Sequence, residues 1–365
     1  MKLIYALATL SGTIIGVGLF SLPYITSKVG FWVMLGYFLV LVALVILIHL
    51  FFGELALRTP DFKRLPGFAK FHLGPWGEKV AVISTILGIF GAILAYLIVG
   101  GEFLENLLSP IFGGGNFIYT ILYFSLGAII ILLGIRVISK IEFWGLILFF
   151  IILITIFFRS FSQLKFANLF PSPDPSHFFL PYGAILFSLW GASLIPEVEE
   201  MLGERKDLIR KIIPISILIP ALVYLFFIYL ILGITGPQTT ESALTGLRNF
   251  LGDGIVSLAL FFGVLTTFTS FIALGLTLKK VFWYDLKIEK NIAWAITCFI
   301  PLALFLIGIK QFIPVISFVG ATMLGIDGIL ILLMYRKIKP KQILVYPLFL
   351  ILFGGIIYEI IYFLK

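Results

Sequence analysis

The stretch of sequence that decides the fold lies near the N-terminus and reads SGTIIGVGLFSLP from Ser11 to Pro23. It lies inside an apolar run, yet three glycines fall within seven residues and a proline follows. Glycine weakens a helix because its backbone is freer, and proline removes a hydrogen-bond donor. We therefore expect a transmembrane helix that is interrupted in the middle of the bilayer.

A second interrupted segment reads FSLWGASLIPE from Phe187 to Glu197, with Gly191 and Pro196 near mid-span. The other apolar segments are simple runs of Leu, Ile, Phe and Val. Where a helix unwinds in lipid, each freed backbone group costs several kcal/mol, so a break persists only where it lines a cavity or faces polar groups. The two segments therefore mark a polar site inside the membrane.

The composition agrees with an all-α integral membrane protein. Of 365 residues, 61% are hydrophobic and 12% charged, and Phe alone contributes 39. A helix needs about 20 apolar residues to cross a bilayer. We predict eleven spans, near residues 3–25, 31–57, 80–108, 117–135, 142–160, 180–202, 212–234, 254–278, 292–309, 312–334 and 342–364.

The basic residues predict the orientation. Of the 26 Lys and Arg residues, 20 fall on one side of these spans and six on the other. Cytoplasmic loops carry such an excess, so the N-terminus is expected in the cytoplasm and the chain in the cell membrane. The net charge of +8 is then a topology signal and does not indicate nucleic acid. The first apolar stretch is longer than a signal-peptide core, so we expect it to remain uncleaved.

Several function classes find no support in the sequence. The single Cys298 rules out a disulfide framework, and three scattered histidines show no metal-ligand spacing. No phosphate-binding loop is present, and ionisable residues in the spans are too sparse and unclustered for an enzyme. We expect no cofactor and no obligatory protein partner. The expected partners are a small-molecule substrate and the lipid bilayer.

The positions of the two breaks predict an internal repeat. They fall in spans one and six, which run in opposite directions. Each of these spans is the first of a group of five helices, so the two breaks hold the same position in the two halves of the chain. We expect a first repeat at residues 1–160, an inverted repeat at 180–334 and an additional helix at 342–364. Interrupted helices in corresponding positions point to a substrate site at the midplane. Freed N–H groups attract a carboxylate and freed carbonyls attract an ammonium, so a zwitterionic amino acid suits both.

Three motifs carry a resemblance to a known family. The segment from Gly12 to Pro23, followed by GFW at 30–32, resembles the opening of the tryptophan/tyrosine permeases of the amino acid–polyamine–organocation superfamily. The stretch TSFIALGLTL at 269–278 resembles span eight of that family, and Glu199-Glu200 before a basic loop resembles the wider superfamily. The resemblance implies a LeuT-like fold and secondary active import of amino acids, aromatic or other neutral ones, by ion-coupled alternating access.

The resemblance also implies where the substrate binds. The carboxylate would contact the amides after the first break, and the ammonium would contact the carbonyls of the second. Tyr96 would contact the carboxylate unless it is an ordinary buried tyrosine, and Trp190 would form a pocket wall or gate. Gly12 and Gly16 also fit a helix-packing motif, which is the alternative interpretation of the first segment. The implied substrate residues are Thr13, Gly16, Val17, Gly18, Tyr96, Ser188, Leu189, Trp190 and Gly191.

Span eight carries the most informative polar patch. Thr266, Thr269 and Ser270 lie at i, i+3 and i+4, so their hydroxyls share one helix face. With the carbonyls of Gly12 and Ile15 they would form an oxygen site suited to Na⁺, as in sodium-coupled members of the fold. The alternative is that these hydroxyls bond their own helix carbonyls.

The identity of the coupling ion stays open between Na⁺ and H⁺. Leu19 stands where two-sodium members of the fold have an amide ligand, so a second sodium is not expected. Span five has no interior lysine of the kind found in proton-coupled relatives, which favours Na⁺. Glu197, just after the second break, is the candidate for proton coupling.

Other functions on the same fold remain as alternatives. They are a carrier of another small solute such as a polyamine or nucleobase, a non-transporting nutrient sensor of the spore-germination type, and a pore. For the transport mechanism, the outer loop 237–253, with its short helical pattern, would act as a lid. The sequence does not name the amino acid.

Overall fold

The computed structural model describes residues 2–60, 63–134 and 138–364, and every regular element in these ranges is a helix. The all-α prediction is therefore confirmed over the described chain. Fifteen α-helices follow one another, joined by short 3-10 turns and two π segments. They are α1 (Lys2–Ile14), α2 (Leu22–Val29), α3 (Phe31–Arg58), α4 (Leu65–Leu73), α5 (Pro75–Phe112), α6 (Asn116–Leu133), α7 (Ile138–Ser160), α8 (Leu180–Leu189), α9 (Ile195–Leu202), α10 (Ile209–Thr235), α11 (Asp253–Lys280), α12 (Lys290–Leu306), α13 (Phe312–Phe318), α14 (Gly325–Ile338) and α15 (Val345–Phe363).

Glycine and proline set the ends of the long helices. Gly30 and Gly74 have positive φ angles of 83° and directly precede α3 and α5. Pro75 occupies the first position of α5, where its missing N–H costs nothing. Gly134, in the left-handed region, ends α6. The turn signals in the sequence therefore become helix boundaries.

The helices account for the predicted spans. Seven segments of the described chain are long and apolar enough to cross a membrane, and the bent pair α1/α2 makes an eighth. One segment, Leu180–Gln238, has 59 residues and contains the predicted spans six and seven. Shorter apolar helices at Ile147–Gln163 and Lys290–Leu306 lie on predicted spans five and nine. The basic loop residue Arg136 lies outside the described residues.

Elements that correspond in the two predicted repeats pack against each other. The two halves of span one contact the two halves of span six, through α1 with α9 and α2 with α8. Helix α3 of span two packs on α10 of span seven, and α5 of span three packs on α11 of span eight. This pairing surrounds the two interrupted helices with continuous ones. The residue bounds of the repeats stay a prediction.

A third interruption was not predicted. Span ten changes from α13 to α14 through a π segment at Val319–Leu324. Here Gly320 lies against the backbone of Gly183 in α8, so closely that a Cβ atom on Gly320 would overlap the Gly183 carbonyl. The close crossing brings span ten directly against the interrupted span six.

Candidate functional site

The first break has the geometry that the sequence predicts. Helix α1 ends at Ile14, a 3-10 helix occupies Val17–Ser21, and α2 follows, with a bend of 46° between the two halves. Gly16 is extended, with φ −119° and ψ −158°. The amides of Val17 and Gly18 begin the 3-10 helix, where no preceding helical carbonyl is in line to accept them. They form the positive end of the outer half-helix.

The second break lies between α8 and α9. Helix α8 ends at Leu189, Trp190 is extended with ψ 114°, and a 3-10 turn at Ala192–Leu194 leads into α9. The carbonyls of the last turn of α8, including that of Ser188, therefore have no intrahelical partner. Both predicted discontinuities are confirmed.

A tyrosine on span seven links the two breaks. The Tyr224 hydroxyl lies 2.5 Å from the carbonyl oxygen of Ile14 and 2.8 Å from that of Ser188, and its side chain is fully buried. Each carbonyl lies at the C-terminal, negative end of a half-helix. A hydroxyl has one proton to donate, so only one carbonyl accepts it at a time. Two helix C-termini thus converge on one point, where their negative ends lie together.

Glycines allow close contact of the two breaks. A Cβ atom on Gly18 would overlap the Ser188 side chain, and one on Gly16 would overlap the Tyr96 hydroxyl. The structure therefore brings Gly16, Gly18, Tyr96 and Ser188 together, as predicted from the sequence. Tyr96 is 5% exposed and lies beside the amide end of the outer half-helix. The predicted role of Tyr96 in binding a carboxylate stays a prediction.

A buried histidine completes the second break. The Gly191 N–H donates to Nε2 of His49 on α3 at 3.0 Å, so the other ring nitrogen, Nδ1, carries the proton of the neutral ring. The ring of Trp190 contacts that of His49 edge-on, with centroids 5.0 Å apart. A Cβ atom on Gly191 would lie 2.9 Å from both Leu10 and Ile14. Trp190 and Gly191 thus belong to the inner side of the same site.

The predicted sodium ligands of span eight lie on α11. The Thr269 hydroxyl donates to the Thr266 carbonyl at 3.1 Å, which is the alternative role considered above. The neighbouring Thr267 is fully buried and donates to Gly263 at 2.8 Å. Helix α11 packs mainly on α5 and α7, whereas α1, which carries Gly12, packs mainly on α10, α9 and α7. The site formed by Thr266, Thr269, Ser270, Gly12 and Ile15 stays a prediction.

Ion pairs lie at the end of the bundle that the basic residues predict to be cytoplasmic. Glu197 lies 3.8 Å from Arg64, and Glu199 lies 3.6 Å from Lys206. An open cavity of about 420 Å³ lies between the end of α3 and α9, with Thr59, Glu199 and Lys206 in its wall. Proton coupling by Glu197 stays a prediction, and its ion pair fits an inner gate.

The Glu54 carboxylate on α3 forms ion pairs with basic residues at the ends of three spans. Glu54 lies 2.6 Å from Arg58, 2.8 Å from Lys339 and 3.9 Å from Arg210, and it accepts from the Tyr335 hydroxyl at 2.8 Å. These partners lie at the ends of spans two, seven and ten. The hydrogen bond from Lys339 to Glu54 raises the pKa of Lys339. The cluster therefore ties three spans together at the inner face.

The loop 237–253, for which a lid is predicted, is hydrogen-bonded to the end of α5. The hydroxyl of Ser242 donates to Glu102 at the outer end of α5 at 2.7 Å, and Arg248 donates to the Asn106 carbonyl at 2.8 Å. Two leucines of the loop itself, Leu244 and Leu247, have buried side chains. A short 3-10 helix at Thr245–Asn249 corresponds to the helical pattern of the sequence.

Two site residues were missed by the sequence reasoning. A hydroxyl or imidazole in mid-membrane must find a partner, which is the signal that Tyr224 and His49 carried. Which helix face each occupies depends on tertiary packing.

In the described residues no cluster of three or more His, Cys, Asp or Glu side chains is arranged to hold a metal ion.

Two facing interrupted helices inside a bundle of spans define a secondary transporter of the LeuT-like fold. The model of the tryptophan/tyrosine permease family matches residues 1–364, so the chain belongs to this family and is a secondary amino acid transporter.

The comparisons with individual proteins agree. The chain is 24% identical over 299 residues to tyrosine-specific transport system 1 of Haemophilus influenzae, covering 77% of this chain and 73% of the relative. MhsT in complex with L-phenylalanine superposes with a TM-score of 0.63 at 17% identity, covering 100% of this chain and 98% of MhsT. Mhp1, a nucleobase-cation-symport-1 family transporter with bromovinylhydantoin bound, superposes with a TM-score of 0.65 at 12% identity. The match covers 97% of this chain and 90% of Mhp1. These two structures confirm the fold.

Proposed function

We propose that this protein imports aromatic amino acids into the cell by alternating access, driven by a cation gradient. Two comparisons support the aromatic substrate, namely the family to which the chain belongs and its similarity to a tyrosine-specific transport system. The excess of Lys and Arg on one side supports a cell-membrane protein with a cytoplasmic N-terminus.

One observation carries the proposal. The carbonyls of Ile14 and Ser188, at the C-terminal ends of two half-helices, both lie within 2.8 Å of the Tyr224 hydroxyl. An ammonium group has three N–H donors and a full charge, so it can satisfy both carbonyls at once. The amides of Val17 and Gly18 lie on the opposite, positive side of the first break and would bind the carboxylate. The site thus matches a zwitterion.

Transport then follows from closing either end of the pathway in turn. The lid 237–253 closes the outer end through Glu102, and the Glu54 and Glu197 ion pairs close the inner end. Opening one end while the other stays closed exposes the substrate to one side of the membrane at a time. The coupling cation would bind either at the span-eight hydroxyls as Na⁺ or at a carboxylate as H⁺.

Uptake into proteoliposomes tests this proposal. Purified protein is given labelled tyrosine, tryptophan, phenylalanine, leucine, a polyamine or a nucleobase, under an inward gradient of Na⁺ or of H⁺. We expect accumulation of the aromatic amino acids, and competition by the zwitterion but not by tyramine or 4-hydroxyphenylpropionate, which each lack one charge.

A matched pair of variants keeps the test specific. Tyr96→Phe removes the hydroxyl beside Gly16. Tyr229→Phe on α10 removes a hydroxyl that makes no hydrogen bond to any of the described residues. Only the first should weaken uptake. Accumulation of a polyamine or nucleobase instead would contradict the proposed substrate, and binding without accumulation under either gradient would favour a sensor.

A further inference from the structure

We infer that Asp327 on span ten is a proton-carrying carboxylate of this transporter, held with Ser84 of span three in a pair that accepts either protonation state. The inference rests on the proposed function, because a proton carrier requires alternating access. Asp327 is 6% exposed and Ser84 is 1% exposed, so both groups are inside the protein.

The pair can satisfy both forms of the carboxyl group. The Ser84 hydroxyl lies 2.5 Å from Oδ1 of Asp327 and 3.2 Å from the Ala81 carbonyl. When Asp327 is ionised, Ser84 donates its proton to the carboxylate. When Asp327 is protonated, the acid donates to Ser84, and Ser84 donates to Ala81. No group loses its partner in either state, so a proton can bind and leave without an unpaired buried group.

Several of the ionisable groups on the helices around Asp327 have partners of their own. Among the described residues, the hydrogen bond from Ser84 is the one polar contact of the Asp327 side chain, and no cation pairs with it. The acidic, basic and histidine side chains on the helices packed against α14 are His49, Glu54 and Arg58 on α3, Lys70 and His72 on α4, Glu78, Lys79, Glu102 and Glu105 on α5, and Glu359 on α15. His49 bonds Gly191, Glu54 bonds Lys339, and His72 bonds Thr59.

This environment distinguishes Asp327 from Glu54 and Glu197. Glu54 and Glu197 lie beside Lys or Arg side chains, which hold a carboxylate in its charged form. Asp327 has a neutral hydroxyl as its partner, and a buried carboxylate without a cation is costly in its charged form. Of these three carboxylates, Asp327 is therefore the one suited to bind and release a proton.

The position of Asp327 couples it to the substrate site. The next residue, Gly328, lies against the Trp190 ring, because a Cβ atom there would be 3.2 Å from the far edge of the indole. Trp190 is the first residue of the second break. Asp327 lies ten residues before Lys337, or about 15 Å into the membrane at 1.5 Å per residue. A change in α14 on protonation therefore acts directly on the break.

The test separates proton coupling from substrate exchange. Asp327→Asn imitates the protonated form permanently, so we expect it to bind tyrosine and exchange it across the membrane, but to lose accumulation driven by a pH gradient. For one proton per substrate, a gradient of about one pH unit drives about tenfold accumulation, and the variant should fall to equilibration. Asp253→Asn, on an exposed first turn, is the matched control.

Ser84 gives a second pair of variants. Ser84→Thr keeps the hydroxyl and should retain proton-driven accumulation, whereas Ser84→Ala should shift the pH at which transport is half-maximal. A direct readout is the carbonyl stretch of a protonated carboxylic acid in infrared difference spectra taken across pH, which should disappear in Asp327→Asn.

The outcomes are distinguishable. Wild-type transport that is driven by Na⁺ and unaffected by pH, or Asp327→Asn protein that still accumulates substrate on a pH gradient, would overturn the proton-carrier inference while leaving the proposed function intact. Absence of any amino acid transport or exchange by the wild type would contradict the proposed function itself.

Discussion

At the scale of single residues, the site depends on one hydroxyl that contacts two carbonyls. Tyr224 lies between the C-terminal ends of α1 and α8, where backbone oxygens without helical partners converge. In water such oxygens would accept hydrogen bonds from water. In the protein interior the donor is Tyr224 or a substrate. The tyrosine therefore stabilises the substrate-free state, and we propose that a substrate ammonium takes its place.

Replacing Tyr224 by Phe should destabilise the protein without substrate. The change leaves two buried carbonyls without this donor, at a cost of about 1–3 kcal/mol for an unsatisfied buried group. We expect a lower melting temperature in detergent, and a larger stabilisation by added tyrosine than in the wild type. Tyr229→Phe is the control and should behave as wild type. Equal melting temperatures for all three proteins would show that the hydroxyl does not hold the breaks.

Gly18 has a role that depends on its lack of a side chain. In Gly18→Ala the new methyl group would overlap Ser188, so the two breaks must separate. We expect loss of tyrosine uptake with the protein still folded. Gly36→Ala is the control, because nothing lies within 4 Å of a Cβ atom at Gly36. Normal uptake by Gly18→Ala would mean that close contact of the breaks is not needed.

At the scale of elements, the outer lid is held by side chains of one loop on a single helix end. Ser242 and Thr245 both donate to Glu102, at 2.7 and 3.3 Å, while Leu244 and Leu247 fill the space beneath. The lid therefore combines an apolar plug with a polar latch. Opening the outer end requires the latch to release.

Glu102→Ala should loosen the lid, whereas Glu102→Gln keeps an acceptor oxygen and should loosen it less. Hydrogen bonds to a charged group contribute about 1.5–3 kcal/mol, so amide exchange in 239–250 should accelerate about tenfold or more in Glu102→Ala. Hydrogen-exchange mass spectrometry measures this directly. Unchanged exchange in both variants would exclude Glu102 as the latch.

The elements also show how far sequence reasoning reaches. Backbone breaks are encoded locally by Gly and Pro, so both interrupted helices were predicted and are confirmed. His49 and Glu54 lie on the same helix, yet the first contacts a break and the second joins the ion cluster with Lys339. Tyr224 and the pair Asp327–Ser84 were missed, because their partners are far apart in sequence and depend on how the helices rotate.

At the scale of the whole molecule, corresponding helices of the two predicted repeats pack as pairs around the site. The Glu54 cluster joins spans two, seven and ten at the inner end, and the lid joins span three to the loop before span eight. The two breaks therefore lie between two sets of polar contacts, an arrangement that we expect for alternating access. The sodium ligands on span eight stay a prediction, because ion coordination depends on sub-ångström placement that spacing does not encode.

Neutralising the inner cluster should shift the molecule toward an inward-open state. In Glu54→Gln the cations Arg58, Arg210 and Lys339 lose their shared anion and repel one another. A cysteine introduced at Leu57, in a Cys298→Ser background, should then be alkylated faster from the inner side. Glu78→Gln, which breaks an exposed pair with Lys70, should have little effect because surface ion pairs contribute about 0–1 kcal/mol. Equal labelling rates would contradict an inner gate at Glu54.

The most direct measurement for the central claim is a structure of the protein with 3-iodotyrosine bound, in which the iodine identifies the ligand. The account predicts the amino acid between the two breaks, with its ammonium within hydrogen-bond distance of the Ile14 and Ser188 carbonyls and its carboxylate at the Val17 and Gly18 amides. An amino acid bound elsewhere, with the Tyr224 hydroxyl still on both carbonyls, would contradict it.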